Sequence, residues 1–366
     1  MPQSLFFCLL FANFPCIVYK DFYVGHRRKQ MVHVVLDAMG GDNAPKEIVK
    51  GALEALADSP SISVTLCGRE ADIKAELEGA DYPKDRLFIE NADEVISTEE
   101  APVMAIRRKK GSSIVKGMTL VKEKKADAFV SAGSSGAILV GGQLIVGRIR
   151  GVERPPLAPL IPSTTPRGVS LIIDCGANVD ARSSHLVQFA KMGSIYMEHV
   201  LGVKNPRVAI VNIGAEEEKG NMLVKETYPL LKNCPDINFI GSIEAREIPN
   251  GGADVIVCEA FVGNVILKMY EGVGKMMLST IKGALMSSTR GKLGGLLIKP
   301  SLKDVMKKFD ATEYGGAPLL GLNGLVVKVH GNATSKEISN AIRQCVTFKE
   351  QNISRRIADK IIIKDE

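Results

Sequence analysis

Tryptophan is absent from the 366 residues and aromatics make up only 5%, too few for the stacking platforms by which proteins grip single-stranded nucleic acid. The nucleotide fingerprints are missing too. No strand-like run leads into G-x-G-x-x-G, and no G-x-x-x-x-G-K-[ST] occurs, since Gly274-Lys275 and Gly291-Lys292 continue into Met276 and Leu293. Gly133-Ser-Ser-Gly136 is not the G-x-S-x-G turn of a serine hydrolase. The seven cysteines hold no C-x-x-C pair and the five histidines no H-E-x-x-H, so nothing calls for a metal, a cofactor or a disulfide framework. Cys67, Cys175 and Cys258 fall in apolar runs and are expected as small core residues.

What is present fits a globular chain with a large core: 45% hydrophobic residues, 24% charged and a mean hydropathy of +0.08. The net charge of +6 is mild at this length. Its basic runs, Arg107–Lys110 and Lys122–Lys125, read as solvated helix faces, or as docking surfaces for an acidic protein or an anionic membrane. The apolar stretch 4–18 is short for a bilayer span, lacks a basic n-region, and is followed by its positive charges. Residues 1–30 are therefore expected to be a leader or a mis-start outside the fold, 31–353 the folded unit, possibly two lobes around a cleft, and 354–366 a tail.

From Met31 onward, strand-like runs alternate with amphipathic helical patterns, the mark of a parallel sheet covered by helices. Strands are predicted at 32–37, 63–67, 86–90, 128–131, 169–174, 207–212, 238–241, 254–258 and 326–330, and helices at 45–57, 117–124, 185–200, 222–232 and 264–286. Pro45 reads as a helix opening, with Asp42 or Asn43 as its cap. Six strands run into short loops of Gly, Asp, Asn and Ser: 37–44, 131–136, 174–180, 212–216, 259–264 and 330–333. Ligands of parallel α/β sheets bind at the carboxyl ends of strands, so these loops are expected to converge on one cleft. Such loops supply backbone amides, small polar side chains and a few charges, a set that holds phosphate or an oxyanion without a covalent intermediate.

The motifs also resemble a known family. Val34-Val-Leu-Asp-Ala-Met-Gly-Gly-Asp-Asn-Ala-Pro45, Asp127-Ala-Phe-Val-Ser-Ala-Gly133, Asp174-Cys-Gly-Ala-Asn-Val-Asp180, Met192-Gly-Ser-Ile-Tyr196, Glu217-Glu-Lys-Gly-Asn221, Phe261-Val-Gly-Asn-Val-Ile-Leu-Lys268 and Glu313-Tyr-Gly-Gly-Ala-Pro-Leu-Leu-Gly321 are similar, in order, to those of the bacterial phosphate acyltransferases called PlsX. The resemblance runs from about Met31 to Ile342. It implies a three-layer αβα fold with a largely parallel central sheet, akin to phosphotransacetylases and isocitrate dehydrogenase-like proteins. It implies reversible conversion of acyl-[acyl-carrier-protein] and inorganic phosphate to acyl phosphate and free carrier. The product would pass to acyl phosphate:glycerol-3-phosphate acyltransferase in phospholipid synthesis. A cytoplasmic homodimer, peripheral at the inner face of the plasma membrane, is implied as well. Where the family commonly has Asn-Thr, this chain has Ser134-Ser135.

With that chemistry, the N–H groups of Gly133, Ser134, Ser135 and Gly136 are expected to cradle phosphate, helped by the two hydroxyls. Lys219 or Lys268 would offset its charge, Asn178, Asn221 and Asn264 would orient phosphate or the acyl carbonyl, and His330 would donate to the departing thiolate. Asp37 and Asp42 line the same cleft and, with Asp174, are expected to cap helices or orient lysines and asparagines beside the anion. In Lys292-Leu-Gly-Gly-Leu-Leu-Ile-Lys-Pro300, Leu293, Leu296, Leu297 and Ile298 form an apolar loop, either interface or membrane-touching tip. A short-chain phosphate acyltransferase using acyl-coenzyme A, or a non-catalytic membrane scaffold for lipid-synthesis proteins, would carry the same loops.

Overall fold

The structure is a computed structural model, and it describes residues 31–308 and 311–361, the side chains of 301–312 excepted. The expectation for residues 1–30 lies outside the described residues. Strands β1 (Val32–Asp37), β2 (Ile62–Gly68), β3 (Leu87–Asn91), β4 (Ala128–Ser131), β10 (Ala317–Leu319) and β11 (Leu325–Lys328) form a six-stranded sheet ordered β10-β11-β4-β1-β2-β3. A second, five-stranded sheet is ordered β5-β6-β9-β7-β8, from β5 (Leu160–Pro162), β6 (Val169–Ile173), β7 (Arg207–Val211), β8 (Asn238–Ile243) and β9 (Val255–Val257). In each sheet only the short edge strand, β10 or β5, runs antiparallel to its neighbour. The expected central sheet is thus two sheets, with backbone bonds joining their edges: Leu320 N–H donates to Pro156 O at 3.1 Å and Ala158 N–H to Pro318 O at 3.1 Å.

Both faces of each sheet are covered, so the strands read as continuous apolar runs rather than alternating ones. On one face of the first sheet Val34, Leu36, Val64, Leu66, Val130 and Val327 meet α1 (Lys46–Asp58) and α10 (Ser335–Glu350). On the other, Val35, Phe129 and Val326 meet α4 (Ser113–Lys122) and α5 (Ser135–Gly141). Full burial of a side chain such as Phe129 contributes about 1.5–3 kcal/mol. The remaining helices are α2 (Glu70–Leu77), α3 (Pro102–Arg108), α6 (Ser183–His199), α7 (Met222–Lys232), α8 (Ala260–Met286), α9 (Thr289–Lys308) and α11 (Ile353–Ile361).

Three expectations change. Neither Asp42 nor Asn43 caps α1, which starts after Pro45 without a side-chain cap. The Asn43 amide instead donates to the carbonyls of Asn332 and Ala333, tying the loop after β1 to the loop after β11. The apolar stretch expected as a loop at 292–300 is helical, part of α9, with Pro300 inside the helix. Of the residues expected as a tail, 354–361 lie in α11, whose Ile357 and Ile361, with Ile353 of the expected folded unit, enter the core against α6.

Parallel pairing sets the carboxyl ends of β11, β4 and β1 side by side, and likewise those of β6, β9 and β7. Each of the six polar loops leaves one of these ends. Among the described residues no helix is long and apolar enough to cross a membrane.

Candidate active site

At the edge of the first sheet, the register aligns Lys328 with Ser131, and the next step aligns Ser131 with Asp37. Paired residues of parallel strands project to the same side, so the three form a row across three strands. Ser131 donates its hydroxyl to Asp37 Oδ2 at 2.6 Å and accepts the Gly133 N–H at 3.0 Å. Asp37 Oδ1 accepts the Met39 N–H at 3.1 Å. Burial raises the Asp37 pKa against the lowering effect of its hydrogen bonds from Ser113, Ser131, Met39 and Gly40. A Cβ at Gly40 would run into the Asp37 carboxylate and stand 2.7 Å from the Gly133 nitrogen, so only glycine lets these two loops touch.

The chain then turns into α5. Ser134 is its N-cap and accepts the Ala137 N–H at 3.4 Å, leaving the N–H groups of Ser135 and Gly136 as first-turn donors without an intrahelical acceptor. Asp42 N–H donates to Gly331 O at 2.7 Å, which brings the loop after β11 alongside. There His330 N–H donates to Glu337 Oε1 at 3.1 Å. Partial burial lowers the His330 pKa, with Glu271 opposing and Lys268, Lys328 and Lys275 adding to the shift.

Helix α8 links the two groups of loops. Its N-terminus stacks on the loop after β6: Ala260 N–H donates to Asn178 O at 3.2 Å, and Asn264 Oδ1 lies 3.9 Å from where a Gly176 Cβ would stand. Further along, Lys268 Nζ is 3.2 Å from Glu271 Oε2, and Glu271 Oε1 is 3.6 Å from His330 Nε2. That Oε1 is buried with no hydrogen-bond partner. An open groove of about 550 Å³ runs along α8 from Asn264 and Lys268 past Val265, Met269, Val273 and Met276.

The other expected residues sit around this centre. Asn178 is buried and its amide donates to Asp174 Oδ2 at 2.7 Å and Pro155 O at 3.0 Å. Asp174 also accepts the N–H groups of Leu157, Ala177 and Asn178, and burial pushes its pKa up to about 6. Asp37 and Asp174 thus tie loops together rather than cap helices. Lys219 pairs with Glu216 at 2.8 Å and Asn221 caps α7 through the Val224 N–H at 2.9 Å, both in the loop after β7. The structure brings Asp37, Asp42, Gly133–Gly136, His330 and Lys268 into one cluster; among the described residues, Lys219 and Asn221 make their side-chain contacts within their own loop.

Two members of the cluster were not legible in the sequence. Glu271 lies a turn beyond Lys268 in an unbroken helical pattern. Lys328 interrupts the apolar run Leu325-Val-Val-Lys-Val329, and a cation inside a predicted core strand was the available signal. Burial lowers its pKa to about 8, with Lys268 adding to the shift and Glu337, Asp37 and Asp42 opposing it.

Cys67, Cys175 and Cys258 are buried as expected. Burial pushes the Cys67 thiol up to about 12, and raises Cys175 and Cys258 as well, which makes them poor nucleophiles. Among the described residues no group of His, Cys, Asp and Glu is placed to hold a metal ion.

A family model described as fatty acid synthesis protein matches residues 32–356. The phosphate acyltransferase of Clostridium tetani is 49% identical over 329 residues, covering 90% of this chain and 98% of the relative. That of Alkaliphilus oremlandii is 51% identical over 328 residues, covering 90% and 97%. Among solved structures, a phosphotransacetylase from Streptococcus pyogenes superposes with a TM-score of 0.59 at 16% identity, covering 87% of this chain and 94% of that one. The last likeness speaks for the fold, a layered α/β arrangement, and the first two for the chemistry. The chain belongs to the fatty acid synthesis protein family and, like its phosphate acyltransferase relatives, is an acyltransferase.

Proposed function

We propose that this acyltransferase moves an acyl group from the thioester of acyl carrier protein to inorganic phosphate, reversibly, and so supplies acyl phosphate for acylation of glycerol 3-phosphate in phospholipid synthesis. The observation that carries the reading is the convergence of the loops after β1, β4 and β11, where a Cβ on Gly41 would stand 2.7 Å from Gly331 O and 2.8 Å from the Ala132 Cβ, with His330 of the last loop beside Glu271, which pairs with Lys268. A helix start offers N–H donors and positive potential to an anion.

Hydrogen phosphate dianion would lie on the N–H groups of Gly133–Gly136, flanked by the Ser134 and Ser135 hydroxyls, with Lys268 nearby. One phosphate oxygen bonds to the acyl carbon, and the carbon–sulfur bond breaks with its electron pair on sulfur. The proton of hydrogen phosphate ends on the thiolate, and His330 would relay it. Atoms and charge balance: a dianion and a thioester give an acyl phosphate dianion and a thiol. Thiols ionise near ~8.5, so the thiolate leaves readily. The protein's task is orientation, which contributes on the order of 7–11 kcal/mol at best, and oxyanion donors, each about 3–4. Asn264 would face the substrate from α8; Asn178 holds the loop after β6; Lys219 and Asn221, which pair with Glu216 and cap α7, would reach it only if the loop after β7 closes. The groove along α8 receives the acyl chain, and its exposed apolar length is consistent with a second copy of the chain covering it as a homodimer. Exposed Leu293, Leu296, Leu297 and Ile298 on α9 give a surface for peripheral membrane contact.

The test is consumption of a long-chain carrier-protein thioester as a function of phosphate, against acetyl-coenzyme A. Wild type is expected to prefer the former and to require phosphate, and Lys268→Ala and Ser135→Ala to raise the phosphate KM, with Lys219→Ala weaker. Unchanged turnover and KM in all three variants would remove the site assignment, and preference for acetyl-coenzyme A would remove the carrier-protein donor.

A further inference from the structure

Lys328 stands at the carboxyl end of β11, in register with Ser131, on the sheet side that carries the Ser131–Asp37 hydrogen bond. An ammonium has three protons to donate. Among the described residues Lys328 Nζ has one acceptor, the Val329 carbonyl oxygen, so two N–H bonds remain for a further partner. A half-buried ammonium in that condition is poorly solvated and gains more from an anion than a surface lysine does.

The charged and titratable groups that face it come from five elements: Asp37 of β1, Asp42 in the loop after β1, Lys268 of α8, Glu337 of α10, and His330 in its own loop. The carboxylates are in good part committed elsewhere. Asp37 uses Oδ2 for Ser131 and Oδ1 for Met39, and Glu337 Oε1 accepts the His330 N–H. Asp37 Oδ2 lies 3.1 Å from where a Gly133 Cβ would stand, but its charge is offset by the Ser131 and Met39 hydrogen bonds, and Lys328 and Lys268 bring positive charge to the same carboxyl edge of the sheet.

We propose that Lys328 is a second cation, beside Lys268, that binds the phosphate substrate, its ammonium closing the cradle formed by the N–H groups of Gly133–Gly136. The inference rests on the acyltransferase reading above and adds a half-buried cation to its phosphate site. A lysine acts here as a point charge that accepts any orientation of the dianion. Bound phosphate favours the charged lysine, so by linkage phosphate affinity falls as pH rises past the free-enzyme pKa of about 8. Phosphate itself is mostly dianionic over that range, and the His330 shift is downward, away from it.

The experiment uses the full chain as wild type, Lys328→Met and Lys328→Arg, between pH 7 and about 9.5, around the lysine's own pKa of about 8. The phosphate KM and kcat are measured with carrier-protein thioester, and the melting temperature with and without inorganic phosphate. Lys328→Met is expected to raise the phosphate KM by roughly 30-fold or more with a smaller change in kcat, and to lose the phosphate-induced rise in melting temperature. In wild type the KM should climb above pH 8, towards tenfold per pH unit; in Lys328→Arg it should stay flat, because a guanidinium does not deprotonate there. Methionine matches the stem and removes a buried charge, so the variant should fold, which urea unfolding checks. A wild-type KM and thermal shift in Lys328→Met overturns the proposal, and so does a wild-type KM that is flat through pH 8. If wild-type turnover is independent of phosphate while phosphate still protects wild type and not Lys328→Met from heat, the lysine site stands and the reaction reading fails. If phosphate neither binds nor reacts, both fall.

Discussion

The Ser131 hydroxyl serves Asp37 and Gly133 at once, donating to the carboxylate at 2.6 Å and accepting the glycine N–H at 3.0 Å. One oxygen atom therefore fixes the end of β1 against the turn that opens α5. Since Asp37 is fully buried, its charge is tolerated only through such donors.

Ser131→Ala should consequently do two things. It leaves the buried carboxylate short of a donor, costing about 1–3 kcal/mol, and it releases the Gly133 N–H from its anchor. The urea midpoint should fall and the phosphate KM should rise. Asp37→Asn, which removes the charge and keeps a polar group of the same shape, should lose less stability than Ser131→Ala. Equal loss in the two variants would show that the hydroxyl does not organise the turn.

Lys328 makes stability depend on pH in a defined direction. Its pKa falls from 10.5 to about 8 on folding, so between those values the unfolded chain binds more protons. Stability from this group therefore rises as pH climbs through that window and is at its lowest below pH 8. Lys328→Met should be more stable than wild type at neutral pH, and the gap should narrow by about 2–3 kcal/mol towards pH 10.5, allowing for partial solvent screening. Urea unfolding of the two proteins at pH 7 and pH 10 measures it; a gap that does not change with pH contradicts the burial of this ammonium.

All nine strands expected from apolar runs are present, because a parallel strand buried on both faces needs a continuous apolar stretch and leaves that mark in the sequence. The two missed strands, β5 and β10, are three residues each and contain a proline, Pro162 and Pro318. At sheet edges such short pieces are set by their neighbours rather than by pattern. The six site loops were legible for a related reason, since glycine and small polar residues after a strand signal a turn with free amides. Which loops touch was not legible. That follows from strand order, and the order β11-β4-β1 sets Leu325–Lys328 beside Ala128–Ser131 and these beside Val32–Asp37, segments far apart in the chain. Lys328 and Glu271 were hidden in regular elements, and α9 was hidden by Gly294, Gly295 and Pro300, residues that argue for a loop.

Glycines within α8 should respond oppositely to alanine. A Cβ on Gly263 would collide with the Asp174 carbonyl oxygen and stand 3.0 Å from Cys258 Sγ, whereas one on Gly274 would meet nothing within 4 Å. Gly263→Ala must push α8 off the loop after β6, at about 1–3 kcal/mol or more, and turnover should fall because Asn264 and Lys268 move with it. Gly274→Ala should gain up to about 1 kcal/mol from helix propensity and leave turnover alone. Thermal unfolding of both variants decides the matter; a stable, active Gly263→Ala would mean that α8 is not seated on Asp174.

The α9 surface predicts a separation of membrane contact from catalysis. Leu296 is 67% exposed and Leu297 75%, between Lys292 and Lys299 on the same helix. Replacing both leucines with glutamate removes apolar area that is already in water, so folding stability should stay within about 0.5 kcal/mol. The same change sets two negative charges against an anionic lipid surface and deletes the groups that would enter the headgroup region. In flotation with vesicles containing anionic lipid, wild type should rise with the lipid and Leu296→Glu/Leu297→Glu should remain below, while both turn over a water-soluble carrier-protein thioester at the same rate. Raising the salt concentration should weaken wild-type binding only in part, since the apolar contribution is not screened. A double variant that floats like wild type would exclude this stretch of α9 as the membrane contact, and one that no longer turns over substrate would place these leucines at the acyl groove instead.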